Sequence, residues 1–311
     1  MPSTTALSST PWKHRDTVQI GSQIAVVETT SGSIRGYIRN GIYTFKGLPY
    51  GNPVSGVRRF MPASLADPQP GVRACLHYGN ICPQALSEPI TSGGRSQSND
   101  ENLFLVQPTG GLSVGEDCLL LNIWTPEING STNRPVLVWL HGGGCAFGCG
   151  HGLPAYDGEN LAHGDAVVVT INHRLGLLGH LNLAELGDVR YASSGNIAML
   201  DQVLALQWVR ANIARFGGDP GNVMIYGQSG GGGKVSALMG MPAAKGLFQR
   251  AAVQSGSFPP GAPMEGTSAI GAGRIQHCTA VIQESVQQPE GNLIIDRRTE
   301  GCGTQTKHRG S

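Results

Sequence analysis

The stretch Val223-Met-Ile-Tyr-Gly-Gln-Ser-Gly-Gly231 constrains the fold most, because a β-forming run enters Gly-x-Ser-x-Gly with no spacer between them. A serine on so sharp a strand-to-helix turn needs glycine on either side, since larger neighbours would clash in the strained backbone. Gly227 and Gly231 fill those two places around Ser229. The turn lifts the hydroxyl off the sheet, and the helix that follows aims free N–H groups at any negative oxygen formed there. Ser229 is therefore the candidate nucleophile. Lys234 raises a competing phosphate-loop reading, which fails on two positions. Gln228 stands six residues before it where glycine is needed, and Val235 follows where serine or threonine is required.

A second glycine cluster, His141-Gly-Gly-Gly144, follows the apolar run Val136 to Leu140. Acyl transfer through a tetrahedral intermediate needs donors aimed at the developing oxyanion, and consecutive glycines let backbone N–H groups approach without side-chain obstruction. Gly143, Gly144 and Gly230 are the three candidate donors.

The rest of the chain supplies a scaffold for these two turns. Apolar residues between 24 and 46 surround Asn40-Gly41, the favoured two-residue hairpin turn, so an antiparallel region opens the fold. From Phe60 to Val114 the repeated prolines predict loop-rich surface. Leu119 to Trp124, Val136 to Leu140 and Ala166 to Ile171 read as buried strands bounded by Gly, Pro or Asn. Ile197, Leu200, Leu204, Trp208 and Ala211 recur at steps of three and four, and Gly217-Gly218 before Pro220 ends the pattern, which predicts a helix from Asn196 to Phe216. A strand at Val223 to Tyr226, a short helix ended by Pro242 and a strand around Ala251 to Val253 follow. Strands separated by helices predict an α/β fold with a mostly parallel sheet covered on both faces.

Composition narrows the function classes. Of 311 residues, 22 are Lys or Arg and 21 are Asp or Glu, a formal net charge of +1, which argues against nucleic-acid binding. No apolar run approaches 18 residues, so no membrane span is expected. Residues 1–20 form a polar segment without an apolar core, which predicts no signal peptide and a cytoplasmic location. The seven cysteines form no C-x-x-C pair, which removes the common zinc and redox signatures, and Cys145 and Cys149 read as loop residues. No metal or cofactor is expected. Residues 21–257 form the expected domain. From 258 to 311 the single aromatic residue is Phe258, which predicts a divergent, poorly ordered tail with one helix near Thr279 to Val286.

The motifs together resemble the type-B carboxylesterases, the α/β-hydrolases that include the cholinesterases. Phe216-Gly-Gly-Asp-Pro-Gly-Asn-Val-Met-Ile-Tyr-Gly-Gln-Ser-Gly-Gly231 is similar to the family's serine signature, and Glu116-Asp-Cys-Leu-Leu-Leu-Asn-Ile-Trp124 to its second signature. Phe45-Lys-Gly-Leu-Pro-Tyr50, Asn172-His-Arg-Leu-Gly176 and Gly195-Asn-Ile-Ala-Met-Leu-Asp-Gln202 are further landmarks. The resemblance implies the α/β-hydrolase fold, hydrolysis of a small carboxylic ester through an acyl-Ser229 intermediate, an oxyanion hole of Gly143, Gly144 and Gly230, and a Cys82–Cys118 disulfide.

Three departures qualify it. Gln228 replaces a glutamate common in relatives, which removes a charge that would favour cationic substrates. Leu120 stands where an aromatic residue or threonine is usual. The third departure concerns the base, since in this fold an acid and then a histidine follow the serine. After Ser229 only His277 and His308 are histidines, with Glu265, Glu284, Glu290, Asp296 and Glu300 as acids, and none matches a family motif. His141, His173, His180 and Asp201 read as structural. The fold is therefore expected to be incomplete at its C-terminal end. The alternative function is a truncated, inactive carboxylesterase-like chain, an interaction module or a product of gene degradation.

Overall fold

The structure is a computed structural model that describes residues 17–84, 112–130 and 132–256. The segment from 258 to 311, with its expected helix, His277 and His308, lies outside the described residues, as does nearly all of the polar segment 1–20.

An eight-stranded sheet forms the centre, in the order β1-β4-β5-β7-β9-β8-β10-β11. Its antiparallel side begins at β1 (Val18–Gln19) and continues through β4 (Tyr37–Arg39), β5 (Ile42–Pro49) and β7 (Leu120–Thr125) to β9 (Val167–Ile171). From β9 the sheet runs parallel through β8 (Arg134–Leu140) and β10 (Gly218–Gln228) to β11 (Arg250–Gln254). The antiparallel part is thus wider than one hairpin, and the parallel part carries the helical crossovers. The turn between β4 and β5 has Asn40 at φ 52° and Gly41 at φ 84°, the pair of positive angles that a two-residue hairpin requires. A small second sheet joins β2 (Val26–Thr29), β3 (Gly32–Arg35) and β6 (Val72–Ala74), the last a three-residue strand inside the proline-rich stretch.

Period-two alternation divides the side chains between two faces. Every residue of β9 is buried, as expected for a strand covered on both sides. Val167, Val169 and Ile171 enter the main core together with Leu121, Ile123, Val136, Val138, Leu140, Val223 and Ile225. On that face lie α3 (Ile197–Asn212), which contributes Leu204, Ala205, Trp208 and Val209, and α4 (Gly230–Gly240), which contributes Val235 and Leu238. Val168 and Trp124 point the other way, against Ile42 and Ala162 of the short α1 (Glu159–Ala162). Helices therefore cover both faces. Helix α3 gives way to a 3₁₀ turn over Ile213–Phe216 that Gly217 ends at φ 72°, in the left-handed region where glycine carries no Cβ penalty. Trp124 and Trp208, on opposite faces, are both fully buried.

Strand order decides where a site can form. From β8 the chain crosses to β9 on one side, and later arrives at β10 on the other. The loops leaving the carboxyl ends of β8 and β10 consequently diverge and open a crevice, the usual place for a ligand in an open α/β sheet. Gly227 of β10 lies opposite Leu140 of β8, which brings Ser229 and the glycine run 142–144 to the same edge. Among the described residues no helix is long and apolar enough to cross a membrane.

Candidate active site

Ser229 sits between β10 and α4 with φ 56° and ψ −124°, a left-handed backbone on a non-glycine residue. Such a conformation costs about 1–3 kcal/mol and persists only where the surroundings over-determine it. Here they do. The Ser229 N–H donates to the Gln254 carbonyl of β11 at 2.8 Å, and the Ser229 carbonyl accepts from Gly233 N–H at 3.1 Å. A Cβ on Gly227 would lie 2.6 Å from the Gly231 carbonyl carbon. One on Gly231 would collide with the Leu140 carbonyl oxygen, and one on Gly232 would stand 2.9 Å from the Gln254 oxygen. The glycines are steric requirements of the elbow, since β8, α4 and β11 approach too closely for any side chain between them.

The loop after β8 closes over the same point. Gly143 at φ 92°, Gly144 at φ 59° and Cys145 at φ 63° form a tight left-handed turn in which the Gly143 carbonyl accepts from Ala146 N–H at 3.0 Å and Phe147 N–H at 3.1 Å. A Cβ on Gly230 would stand 2.6 Å from Gly144 N, and one on Gly142 would stand 3.5 Å from Ser229 Cβ. The loop backbone therefore packs directly on the nucleophile turn. The N–H groups of Gly143, Gly144 and Gly230 have no acceptor among the described residues. Three unpaired donors beside a half-buried serine, at the N-terminus of an eleven-residue helix, form an arrangement suited to a developing oxyanion.

Beneath the loop lies a buried polar cluster. His141 and His173 stack with ring centroids 4.9 Å apart, and the Nδ1 atom of each lies 2.8 Å from a neighbouring carbonyl oxygen, that of Gly142 and that of Arg174. Burial, and after it the charge of Lys234, pushes both imidazoles well below the usual histidine range, so both are neutral at pH 7. Arg174 and Asp201 form a bidentate ion pair with contacts of 2.6 and 2.8 Å, which gives Asp201 the structural role expected of it. Cys82 and Cys118 are free, buried thiols here, and Cys82 Sγ accepts from Leu175 N–H at 3.2 Å. No described side chain is hydrogen-bonded to the Ser229 hydroxyl, so the described residues bring Ser229 and the three unpaired N–H groups together without a base beside them.

Residues 23–280 match the sequence pattern of the carboxylesterase family, and the match runs on past Ser257. The chain belongs to the carboxylesterase family. It is 41% identical over 233 residues to the para-nitrobenzyl esterase of Bacillus subtilis strain 168, an alignment covering 75% of this chain and 44% of that protein. It is likewise 41% identical over 234 residues to the phenmedipham hydrolase of Pseudarthrobacter oxydans, covering 75% and 43%. Among solved structures, an esterase from Clostridium hathewayi, described as able to hydrolyse aliphatic aromatic polyesters, matches with a TM-score of 0.65 at 44% identity. That match covers 75% of this chain and 43% of the other. The chain thus spans less than half the length of these relatives. Its sheet and helices are those of an α/β-hydrolase.

Two contacts of the candidate site were not legible in the sequence. The Gln254 carbonyl that anchors Ser229 lies 25 residues downstream on a separate strand, and no local motif marks it. Lys234 is 2% exposed and donates from Nζ to the His141 carbonyl at 2.9 Å. Its signal was a single charge in a helical turn of glycines and apolar residues.

Proposed function

We infer that this chain carries the nucleophile and oxyanion machinery of a carboxylic ester hydrolase acting on small-molecule esters. The observation that carries the reading is the over-determined left-handed Ser229 beside three unpaired N–H groups. In the proposed reaction Ser229 Oγ attacks the ester carbonyl carbon and gives up its proton to a general base. The negative oxygen of the tetrahedral intermediate accepts from Gly143, Gly144 and Gly230 N–H. The intermediate collapses to an acyl-Ser229 ester as the alcohol leaves with a proton, and water then releases the carboxylic acid. Each donor of this kind is worth about 3 kcal/mol of transition-state stabilisation. The exposed Gln228 beside the nucleophile adds no negative charge, so neutral esters suit the site better than cationic ones.

The absence of a base on Ser229 Oγ among the described residues favours a second reading, in which the chain has the ancestry of an esterase without its turnover. Losing the histidine of a serine hydrolase costs about 10⁶ in turnover. Treating the purified chain with a fluorophosphonate and measuring its intact mass, with Ser229→Ala as control, separates the two. The hydrolase reading expects one adduct that the substitution abolishes. A folded chain that takes up no reagent supports the inactive reading.

A further inference from the structure

Lys234 occupies the fifth position of α4 and is almost completely buried, yet no carboxylate pairs with it among the described residues. An ammonium removed from water without a counter-ion is costly unless its hydrogen bonds replace hydration. Its recorded bond runs to the carbonyl of His141, 93 residues away, and spans from α4 to the first residue of the glycine loop. Among the described residues no other hydrogen bond ties that loop to α4. Gly142, Gly143 and Gly144 have no side chains to pack, and the turn lies in the left-handed region, where glycine has the most freedom to move. Other ties reach its far end, namely Gly176 N–H to the Cys145 carbonyl at 2.9 Å and Gly148 N–H to Gln84 Oε1 at 2.6 Å. Neither of those connects to the helix that bears Ser229 and Gly230.

We propose that Lys234 is a positioning residue, holding the His141 carbonyl so that the Gly143 and Gly144 N–H groups keep register with Gly230 N–H and Ser229. The proposal rests on the ester-hydrolase reading above. Without the ammonium, the His141–Gly142 peptide can rotate, and the two loop donors turn independently of the third. Neutral His141 and His173 face Lys234 from the start of the glycine loop and from the loop after β9, and His180 faces it from α2 (Gly176–His180). Cys145 faces it from the glycine loop, while Asp201 is committed to Arg174. None of these is a cation at neutral pH that could replace it. Burial lowers the Lys234 pKa to about 8, so the charge-assisted bond weakens as pH rises through that value.

The test compares the full chain with Lys234→Met and Lys234→Gln by hydrogen exchange and by fluorophosphonate labelling from pH 6.5 to 9.5, after circular dichroism has shown the parent fold. Loss of a charge-assisted bond predicts amide exchange over residues 142–147 faster by about ten- to a hundredfold, with β7 and β9 unchanged. Labelling of Ser229 slows by a similar factor, and the ratio of parent to variant rates shrinks above pH 8. A folded Lys234→Met with parental exchange in 142–147 overturns the proposal. If the parent takes up no reagent at any pH, the hydrolase reading fails while exchange still decides the role of Lys234. If neither variant folds, the parent alone decides. Protection of the 142–147 amides must fall, relative to β9, as pH passes 8, and constant relative protection overturns the proposal.

Discussion

Replacing Asp201 by asparagine keeps the volume of the side chain and removes its charge, in a place with no exposure to solvent. Asp201 Oδ1 accepts from Arg174 Nη2 at 2.6 Å, and Oδ2 accepts from Nε at 2.8 Å and from the Arg174 backbone N–H at 3.2 Å. An amide offers one acceptor where the carboxylate offered two, and it turns an N–H₂ toward guanidinium donors. Arg174 keeps its bond to the Met61 carbonyl at 2.7 Å but becomes a buried cation without a counter-charge. Breaking one side of such a pair costs about 3–5 kcal/mol, against a total domain stability of about 5–15 kcal/mol. For a chain of this size that corresponds to a melting temperature lower by about 6–20 °C.

The pair also reaches the candidate site. It ties α3 to the loop after β9, and Gly176 N–H from that region holds the Cys145 carbonyl, so Asp201→Asn should also slow labelling of Ser229. The assay is urea unfolding of the parent, Asp201→Asn, Asp201→Leu, Arg174→Met and the double variant Arg174→Met/Asp201→Leu, the last three closing a cycle with the parent. The double variant should recover most of the loss, because an apolar pair of similar volume replaces a buried ion pair at little net cost. A single Asp201→Asn substitution costing less than about 1 kcal/mol, or additive losses in the cycle, would refute the claim that burial of this charge makes its partner indispensable.

Further outcomes follow from other contacts. Gly231→Ala places a methyl group against the Leu140 carbonyl, an obstacle of backbone on backbone, so it should abolish Ser229 labelling and cost about 1–3 kcal/mol, read by mass and thermal unfolding. Trp208→Ala empties a fully buried site in the main core and should lower stability by about 3–5 kcal/mol in urea titration. His151 stacks on Tyr78 at 4.3 Å, and burial lowers its pKa to about 4. The unfolded chain binds its proton near pH 6.5 and the folded chain only near 4, so stability falls as pH drops through that window, by up to about 3 kcal/mol. His151→Phe should flatten that part of the pH–stability curve, and an unchanged curve would remove His151 from the account.

What the sequence made legible was what short-range chemistry determines. Asn40-Gly41 specifies its hairpin because few residue pairs accept two positive φ angles. The buried run Val167–Ile171 announces a central strand, and the glycines around Ser229 announce the elbow, since each is a local steric requirement. The strand Val72–Ala74 was not legible, because all three residues are exposed and show no alternation. Nor was the start of β10 at Gly218, where a register shift against β8 leaves Asp219, Pro220 and Gly221 outside any strand-like pattern. The tertiary contacts of the site were hidden for a different reason. Lys234 to His141, Arg174 to Asp201 and Ser229 to Gln254 join residues 93, 27 and 25 positions apart, and only the folded sheet brings them into range.

That division bears on reactivity. Every group that packs on Ser229 and its neighbouring donors belongs to β8, the glycine loop after it, β10, β11, α4 or the adjoining Gly256, whose missing Cβ leaves room for the Ser229 carbonyl. The geometry of the nucleophile and its donors therefore does not depend on a base being present. What a missing base removes is proton transfer, the step whose loss costs a serine hydrolase about 10⁶ in turnover. A small base in solution can then substitute where the chain's own is absent: imidazole at tens of millimolar should accelerate fluorophosphonate labelling of Ser229, with no adduct in Ser229→Ala. Acceleration by tenfold or more would mean that the elbow and oxyanion donors are built and only the base is lacking. Rapid labelling without response to imidazole would place a working base within the chain. Absence of labelling under both conditions, on a folded sample, would refute the claim that the elbow geometry is itself sufficient to present a reactive serine.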